Sequence, residues 1–280
     1  MNNHQNSMKT HRTDPKRPLK GEKARQAILN KLADHPATLA VAQEVTSFFG
    51  SRFQYSESEN IDTSEFGLGI EPIVALIHLK VGTSRITQSL AHELLHLRLA
   101  VRKFPKYSEM DAPDHLEKFI SDLSENYDPL LNIVQHEIML PEFLALGFQQ
   151  KDFLVPPRPP ANYQRLVRTS KNQIIPEVRF PWWCLEYIRH WSHARHSTLL
   201  QPALYASEAL EFGKSEFPEL PQAVNQMTQV FENGHFKDAS KYPSEVNKLL
   251  SIMLVPIITQ WVEFSSEQPG HPIAKFIRTE

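Results

Sequence analysis

Cysteine is almost absent from this sequence, since Cys184 is the only one among 280 residues. A single thiol excludes an internal disulfide, and it also excludes a zinc site built from several thiolates. Any metal ion held by this chain would therefore need histidine and carboxylate ligands. Such low cysteine usage is typical of proteins from a reducing compartment.

Charge of one sign and long apolar runs are also missing. The formal net charge is −2, so no global basic field indicates a nucleic-acid binder. The most apolar run, residues 249–258, spans only ten residues, about half of what a helix needs to cross a bilayer. The N-terminal residues are polar and basic and lack the apolar stretch of a secretory signal. We expect a cytoplasmic protein with neither nucleic-acid nor membrane partners.

The remaining composition is that of an ordinary globular protein, with 41% hydrophobic and 22% charged residues. No internal repeat and no glycine-rich phosphate loop is present. We divide the chain into four parts: a disordered basic tail (1–22), a core (23–150), a proline-rich connecting segment predicted to be extended (151–180), and a helical C-terminal part that packs on the core (181–280).

Apolar spacing predicts the helices. Residues 22–55 have helical spacing with a break at His35 and Pro36, which indicates two short helices. Further along, Asp128 and Pro129 are favourable for a helix start, with aspartate as the cap and proline in the first turn. We therefore expect mostly helical structure.

One strand is predicted by strict alternation. Residues 73–81 follow a turn-rich stretch, 56–69, and place Ile73, Ala75 and Ile77 on one face. The opposite face becomes polar toward its end, which is typical of a strand buried at one end only. An amphipathic helix comes next, so the fold class is predicted to be α+β and mainly α-helical.

That helix carries the sequence HELLH. His92 and His96 are four residues apart, which places both imidazoles on one face of the helix, one turn apart, as two ligands of a tetrahedral zinc require. Glu93 lies about 100° round the helix from His92. From there a carboxylate can take a proton from a water that the metal acidifies. Coincidental histidines on a surface helix are the alternative interpretation.

The segment resembles the zincin metallopeptidases, which carry HExxH on an active-site helix beside a small antiparallel or mixed sheet. The resemblance covers residues 73–147 and makes residues 23–150 the catalytic core. The extended metzincin pattern is missing, because Leu99 and Arg102 stand where glycine and histidine belong. The third zinc ligand is therefore expected from a later helix, as in gluzincins.

The arrangement of the motif and a later segment also resembles that of small bacterial proteins of the type HELLH…GFP…N-x-x-x-H…P-x-x-x-x-x-G. Phe104 and Pro105 follow the HELLH motif at a similar distance. The remaining positions of the pattern are occupied by Asn132, His136, Pro141 and Gly147.

Two residues remain open as third ligand. The resemblance to the bacterial proteins implies His136, whereas the gluzincin pattern favours the carboxylate of Glu137. Either side chain suits zinc as a ligand. The residue that does not bind the ion would then help to orient the residues that do. Because Pro141 lacks an N–H and crowds the preceding turn, the helix is expected to stop or kink there.

Other polar and aromatic candidates are weaker. His190, His193 and His196 are predicted to lie on a solvated helix face. His78 is expected at the rim of the strand and His115 in solvent.

Residue type alone makes Tyr127, Tyr163 and Arg165 candidates for stabilising an oxyanion, and no spacing selects among them. The aromatic residues of one later helix are expected in the core: Trp182, Trp183, Tyr187 and Trp191.

Together these features predict a zinc-dependent hydrolase. The expected activity is that of an intracellular metallopeptidase with Zn²⁺ as cofactor, Glu93 as general base, and a protein or peptide substrate. That substrate is expected to pair along the strand that contains Ile73, Ala75 and Ile77. Two alternatives stay open: a non-catalytic regulatory or interaction protein stabilised by its metal, and a metal-dependent hydrolase of a non-peptide substrate. The sequence does not determine the oligomeric state.

Overall fold

The chain folds into a mainly helical structure with two small sheets, so the predicted α+β fold class is confirmed. The computed structural model describes residues 18–58, 65–68, 74–80, 82, 84–102, 106–107, 117–153, 176–196, 200–234, 236, 238, 241–254, 264–268 and 271–274. The helices within these ranges are α1 (Gly21–Lys31), α2 (Pro36–Phe49), α3 (Ile86–Val101), α4 (Glu117–Ala145), α5 (Pro176–His196), α6 (Gln201–Lys214), α7 (Leu220–Asn233) and α8 (Tyr242–Leu254). The strands are β1 (Leu19–Lys20), β2 (Phe53–Ser58), β3 (Glu65–Leu68), β4 (Ala75–Lys80), β5 (Lys106–Tyr107), β6 (Phe264–Gln268) and β7 (His271–Ala274).

The first sheet is mixed and has the strand order β1-β2-β4-β3. Strand β2 runs parallel to β4, whereas β3 pairs with β4 in the antiparallel direction, with Glu65 opposite His78. The predicted alternation of β4 is confirmed, because Ala75, Ile77 and Leu79 are fully buried while the residues between them are only partly so. This period of two arises because successive side chains of a strand point to opposite faces.

The position of β4 inside the sheet corrects the predicted substrate site. Both sides of Ala75 and Ile77 carry hydrogen-bonded strands, so a peptide has no free edge there. Their side chains are also buried in the core. Ile73 lies outside the described residues. The prediction was wrong for Ala75 and Ile77 because β3 forms within a stretch, residues 56–69, whose composition indicated only turns.

The second sheet has the order β5-β7-β6, with β5 parallel to β7 and β6 antiparallel to it. It joins residues 106–107 to residues 264–274, which are far apart in the sequence. Its strands are short, and no alternating pattern predicted them.

The first two helices confirm the predicted break. Helix α2 begins at Pro36, where the missing N–H of proline is harmless because the first turn has no helical acceptor for it. The predicted extent was wrong at its far end. Gly50, with φ of 54°, turns the chain after α2, and residues 53–55 belong to β2. The predicted tail was also too long, since α1 begins at Gly21; residues 1–17 lie outside the described residues.

Helix α4 is continuous through its prolines. It begins at Glu117, so the predicted start at Asp128 and Pro129 was wrong, and it continues past Pro141 as far as Ala145. Each proline removes one helical hydrogen bond, but the apolar face of an amphipathic helix gains more from packing than one bond contributes. The chain then turns at Gly147, which has φ of 94°.

Helix α5 corrects a further prediction. The helix begins at Pro176 and includes Pro181, although the segment 151–180 was predicted to be extended. The helical part therefore starts before residue 181. The buried residues Phe180 and Trp183 lie on either side of Pro181, and their packing offsets the hydrogen bond that Pro181 cannot donate. The predicted core position of the aromatic residues on this helix is confirmed, because Trp182, Tyr187 and Trp191 pack against the same core.

Helix α3 lies against the sheet on one side and against α2 and α4 on the other. Leu90, Leu94 and Leu97 on α3 are fully buried. Near the C-terminal end of the helix, Arg98 forms ion pairs with Glu44 of α2 at 2.8 Å and with Glu142 of α4 at 3.1 Å. These contacts fix α3 relative to both neighbours.

The most apolar segment of the chain is part of this packing. Leu249 and Met253 of α8 are fully buried, and residues 255–258 lie outside the described part of the chain. Within the described residues, no helix combines the length and apolar character that crossing a membrane requires.

Substitution of Leu94 tests the importance of the α3 core. Leu94→Ala removes a fully buried side chain, so we expect the free energy of unfolding to fall by about 2–5 kcal/mol. Leu204→Ala is the matched control, because Leu204 is 61% exposed and its loss should change stability by less than about 0.5 kcal/mol. Urea denaturation measures both, and equal effects would show that α3 is not part of the core.

Candidate metal centre

Helix α3 presents two imidazoles from successive turns. His92 and His96 are four residues apart, and their Nε2 atoms lie 3.1 Å from each other. The ring centroids are separated by 4.9 Å. His96 is only 3% exposed, and His92 is partly buried. The predicted pair of histidines is thus close enough to bind one metal ion together.

Helix α4 supplies a third imidazole. The ring of His136 lies 5.0 Å from that of His92 and 5.1 Å from that of His96, measured between centroids. One nitrogen atom from each of the three residues lies within 4.8 Å of the other two. The structure therefore brings together the three histidines that the sequence nominated.

The three histidines could hold a metal ion, and the spacing of two of them is close to that of zinc ligands. Zinc–nitrogen bonds of about 2.0 Å in tetrahedral geometry place neighbouring donors about 3.3 Å apart, close to the 3.1 Å between His92 and His96. The Nε2 atom of His136 is buried and has no hydrogen-bond partner among the described residues. An unsatisfied buried polar atom costs about 1–3 kcal/mol, and coordination of a cation would satisfy it.

Burial keeps the three imidazoles neutral. It lowers the pKa of His92 to about 4, with a backbone group of Phe153 acting in the opposite direction. For His96, burial and the proximity of His92 lower the pKa well below its usual range, and the hydrogen bond that His96 donates to Gln135 opposes the shift. Burial, together with the neighbouring imidazoles, lowers the pKa of His136 in the same way. At neutral pH each ring thus retains a lone pair for a metal ion.

Two residues that the sequence did not nominate contact the cluster. The Oε1 atom of Gln135 lies 2.6 Å from Nδ1 of His96. The ring of Phe153 lies 5.0 Å from that of His92 and 5.6 Å from that of His136. Gln135 was detectable as a polar residue beside His136 in an apolar helix, but nothing in the sequence indicated Phe153.

Glu137, the alternative third ligand, makes its contacts with α5. Its Oε1 atom accepts a hydrogen bond of 2.9 Å from Ser192 and lies 2.7 Å from Nε2 of His196. Its Oε2 atom lies 3.7 Å from Arg195. The carboxylate of Glu137 thus binds side chains of α5, and the histidine cluster does not include it.

The prediction of a solvated face on α5 was wrong. His190 is fully buried and lies 3.1 Å from Glu186, while the side chain of His196 is only 11% exposed. Burial lowers the pKa of His193 to about 4, and the proximity of His190 contributes to this shift. The sequence indicated a solvated face because these histidines recur among arginine and serine residues. Their contacts with Glu137 on α4 depend on the fold and are not visible in the sequence.

Glu93 is buried on α3, with 5% of its surface exposed. A helix places it about 100° round from His92. His78 is partly buried on β4, in line with the expected rim position. The structure does not describe the side chain of Tyr127 or any part of His115, Tyr163 and Arg165, so the candidates for oxyanion stabilisation stay predictions.

Metal content distinguishes His136 from Glu137. We expect His136→Gln to weaken zinc binding at least about 100-fold, because the ion loses one of three protein ligands. The matched control is Glu137→Gln, which retains a polar partner for Ser192 and should keep stoichiometric zinc. Metal analysis of the purified variants measures how much zinc each one retains and so identifies the third ligand. Zinc retained in His136→Gln and lost in Glu137→Gln would contradict this assignment.

The lowered pKa of His92 predicts pH-dependent stability of the metal-free protein. The folded protein titrates His92 at about 4, whereas the ordinary value is 6.5. Between these values the unfolded chain binds more protons, so stability falls as the pH drops from about 6.5 to 4. The contribution of His92 is on the order of 3 kcal/mol. Urea denaturation with chelator present should show a smaller loss for His92→Gln than for the wild type, and equal losses would refute the shift.

Comparison with protein-family models, with curated proteins and with solved structures finds no match to this chain. The geometry of its side chains is therefore the basis for assigning a function.

Proposed function

We propose that this chain is a zinc-dependent hydrolase, specifically a peptidase, in which His92, His96 and His136 hold the metal ion. The observation that carries the proposal is the convergence of these three buried imidazoles, with all donor atoms within 4.8 Å of one another. Two come from adjacent turns of α3 and one from α4, so the packing of two helices forms the cluster. The Nε2 atom of His136 is buried and has no hydrogen-bond partner among the described residues, and coordination to a metal ion would satisfy it.

The donor set suits a catalytic ion. Three protein ligands leave the fourth position of tetrahedral zinc free, whereas structural zinc sites are filled by four. Zinc bound in this way lowers the pKa of water to about 7 and polarises a carbonyl group. Nitrogen donors and the absence of thiolates also agree with zinc, although cobalt or nickel would suit the same ligands.

Glu93 is proposed as the general base. Its position next to His92 on α3 places the carboxylate at the edge of the helix face that carries the metal ligands. Its burial, at 5% exposure, limits competition from bulk water. Glu93 takes a proton from the attacking water and then gives it to the leaving amine of the scissile bond.

Strand β3 supports a peptide as substrate. It is the outermost strand on its side of the first sheet, and among the described residues no strand pairs with its outer edge. Strand β3 also contacts α3, the helix that bears His92 and His96. An extended peptide adds to such an edge through its main-chain hydrogen bonds. The proposed binding edge is thus β3 and not β4.

A cytoplasmic location is part of the proposal. Cys184 is buried and unpaired, and burial raises the pKa of its thiol. A buried neutral thiol packs as a small apolar side chain and has no need of an oxidising compartment.

A non-catalytic, metal-stabilised protein is the second candidate. The observation that favours it is the enclosure of the cluster: His96 and His136 are 3% and 8% exposed. The ring of Phe153 also packs against two of the three imidazoles. A metal whose role is to hold α3 and α4 together would require no base at Glu93.

Substitution of Glu93 distinguishes the two candidates. We expect Glu93→Gln to retain stoichiometric zinc, because glutamine preserves the shape of the side chain and Glu93 is not a ligand. Peptide hydrolysis should fall at least about 100-fold with the loss of the base. The measurement is mass spectrometry of a peptide mixture incubated with the zinc-loaded protein, alongside metal analysis.

The control is Glu245→Gln, which neutralises a carboxylate that is 3% exposed in α8, and it should leave hydrolysis unchanged. Full hydrolysis by Glu93→Gln would reject the assigned base. If the wild type cleaves no peptide but unfolds when zinc is removed, the non-catalytic candidate is correct. Cleavage of esters alone, with the same dependence on Glu93, would indicate a non-peptide substrate.

A further inference from the structure

We infer that Gln135 is a positioning residue: it sets the tautomer of His96 and so directs the lone pair of Nε2 toward the metal. This inference rests on the proposed function, since it takes the histidine cluster to be a metal site. It adds a residue from outside the HExxH motif, and that residue acts on the ion only through His96.

The geometry assigns the tautomer. The Oε1 atom of Gln135 lies 2.6 Å from Nδ1 of His96, and the amide oxygen can only accept a hydrogen bond. With the amide oxygen facing the ring, Nδ1 carries the proton of the neutral ring. The lone pair is then on Nε2, the atom that lies 3.1 Å from Nε2 of His92 inside the cluster.

The opposite tautomer would not bind metal in this arrangement. A proton on Nε2 of His96 would occupy the lone pair that faces His92 and His136. Nδ1 would then be an acceptor next to an amide oxygen at 2.6 Å, and two acceptors at that distance repel each other. In this orientation of its amide, Gln135 favours the metal-binding form of His96 before any ion arrives.

The choice of an amide also affects the charge of the site. Histidine binds a metal ion as the neutral imidazole, so His92, His96 and His136 would add no charge to the site. A neutral partner behind His96 leaves the full double positive charge of the ion in place, whereas a carboxylate there would make the imidazole a more basic donor. Keeping that charge strengthens the acidification of water.

Three consecutive residues of α4 reach three different partners. Gln135 contacts His96 on α3, His136 joins the cluster, and Glu137 contacts Ser192 on α5. Successive residues of a helix point about 100° apart, which is why one short segment can do this. The contact of Glu137 with α5 therefore also fixes the rotation of α4 that presents Gln135 and His136.

The first test reads the tautomer directly in metal-free protein. Imidazole nitrogen NMR distinguishes a protonated from an unprotonated ring nitrogen. We expect wild-type His96 to be protonated at Nδ1, and Gln135→Leu to shift the proton to Nε2 in a substantial fraction of molecules. A wild-type proton on Nε2, or an unchanged tautomer in Gln135→Leu, would overturn the inference.

The second test measures zinc affinity by competition with a chelator. We expect Gln135→Leu to bind zinc about 10–100-fold more weakly, as is usual when a hydrogen-bond partner of a metal ligand is lost. Gln135→Glu should restore affinity to within about threefold of the wild type, since a carboxylate also accepts from Nδ1. If both variants bind zinc equally weakly, Gln135 contributes only packing and the inference fails.

Thr38→Val is the matched control. It removes another hydrogen bond to a histidine Nδ1, the one of 2.8 Å between Thr38 and His35, which lies outside the cluster. Zinc affinity should not change in this variant. If Gln135→Leu does not fold, as judged by circular dichroism, Gln135→Met replaces it, and the wild-type tautomer alone can still reject the inference.

The two proposals fail in different ways. If wild-type protein takes up no zinc, the proposed function is wrong, whatever the tautomer of His96. If wild-type protein binds zinc stoichiometrically and Gln135→Leu keeps the wild-type affinity, the metal site is correct and the role of Gln135 is wrong.

Discussion

The packing of α3 against α4 is the constraint on which the rest of the site depends. Two imidazoles from α3 and one from α4 meet in a largely buried cluster, where burial keeps them neutral. The surrounding structure maintains this contact. Arg98 pairs with Glu142 one half-turn beyond His96, and Gln135 bonds to His96 itself. The sheet supports the opposite side of α3 through β3 and β4.

Features encoded by short-range patterns could be predicted from the sequence. The spacing of His92 and His96 on one helix face, the alternation in β4, and the break before Pro36 each depend on residues within one or two turns. The same holds for the mainly helical character of the chain. His136 was nominated through a resemblance, with Glu137 left open beside it, because a helical period alone cannot show which side of α4 faces α3.

Features that depend on distant partners could not be predicted. The pairing of β3 with β4 decides which strand is at the edge, and the composition of residues 56–69 does not reveal it. The contacts of Glu137 lie on α5, more than fifty residues later, with Ser192 among them. The continuity of α4 and α5 through proline is a result of tertiary packing that exceeds local propensity. Each error thus arose where non-local contacts outweigh local preference.

The position of Phe153 has a consequence for how an ion exchanges. Its ring lies against both His92 and His136, and it also contacts Phe143 in the core. If the cluster holds an ion, that ion would leave or enter on this side only after the aromatic residue moves out of the core, together with the short turn Gln150–Asp152 before it. The rate of exchange by this route would then be limited by local opening of the protein and not by the strength of the metal–nitrogen bonds. A site of this kind holds its ion kinetically even where the equilibrium affinity is modest.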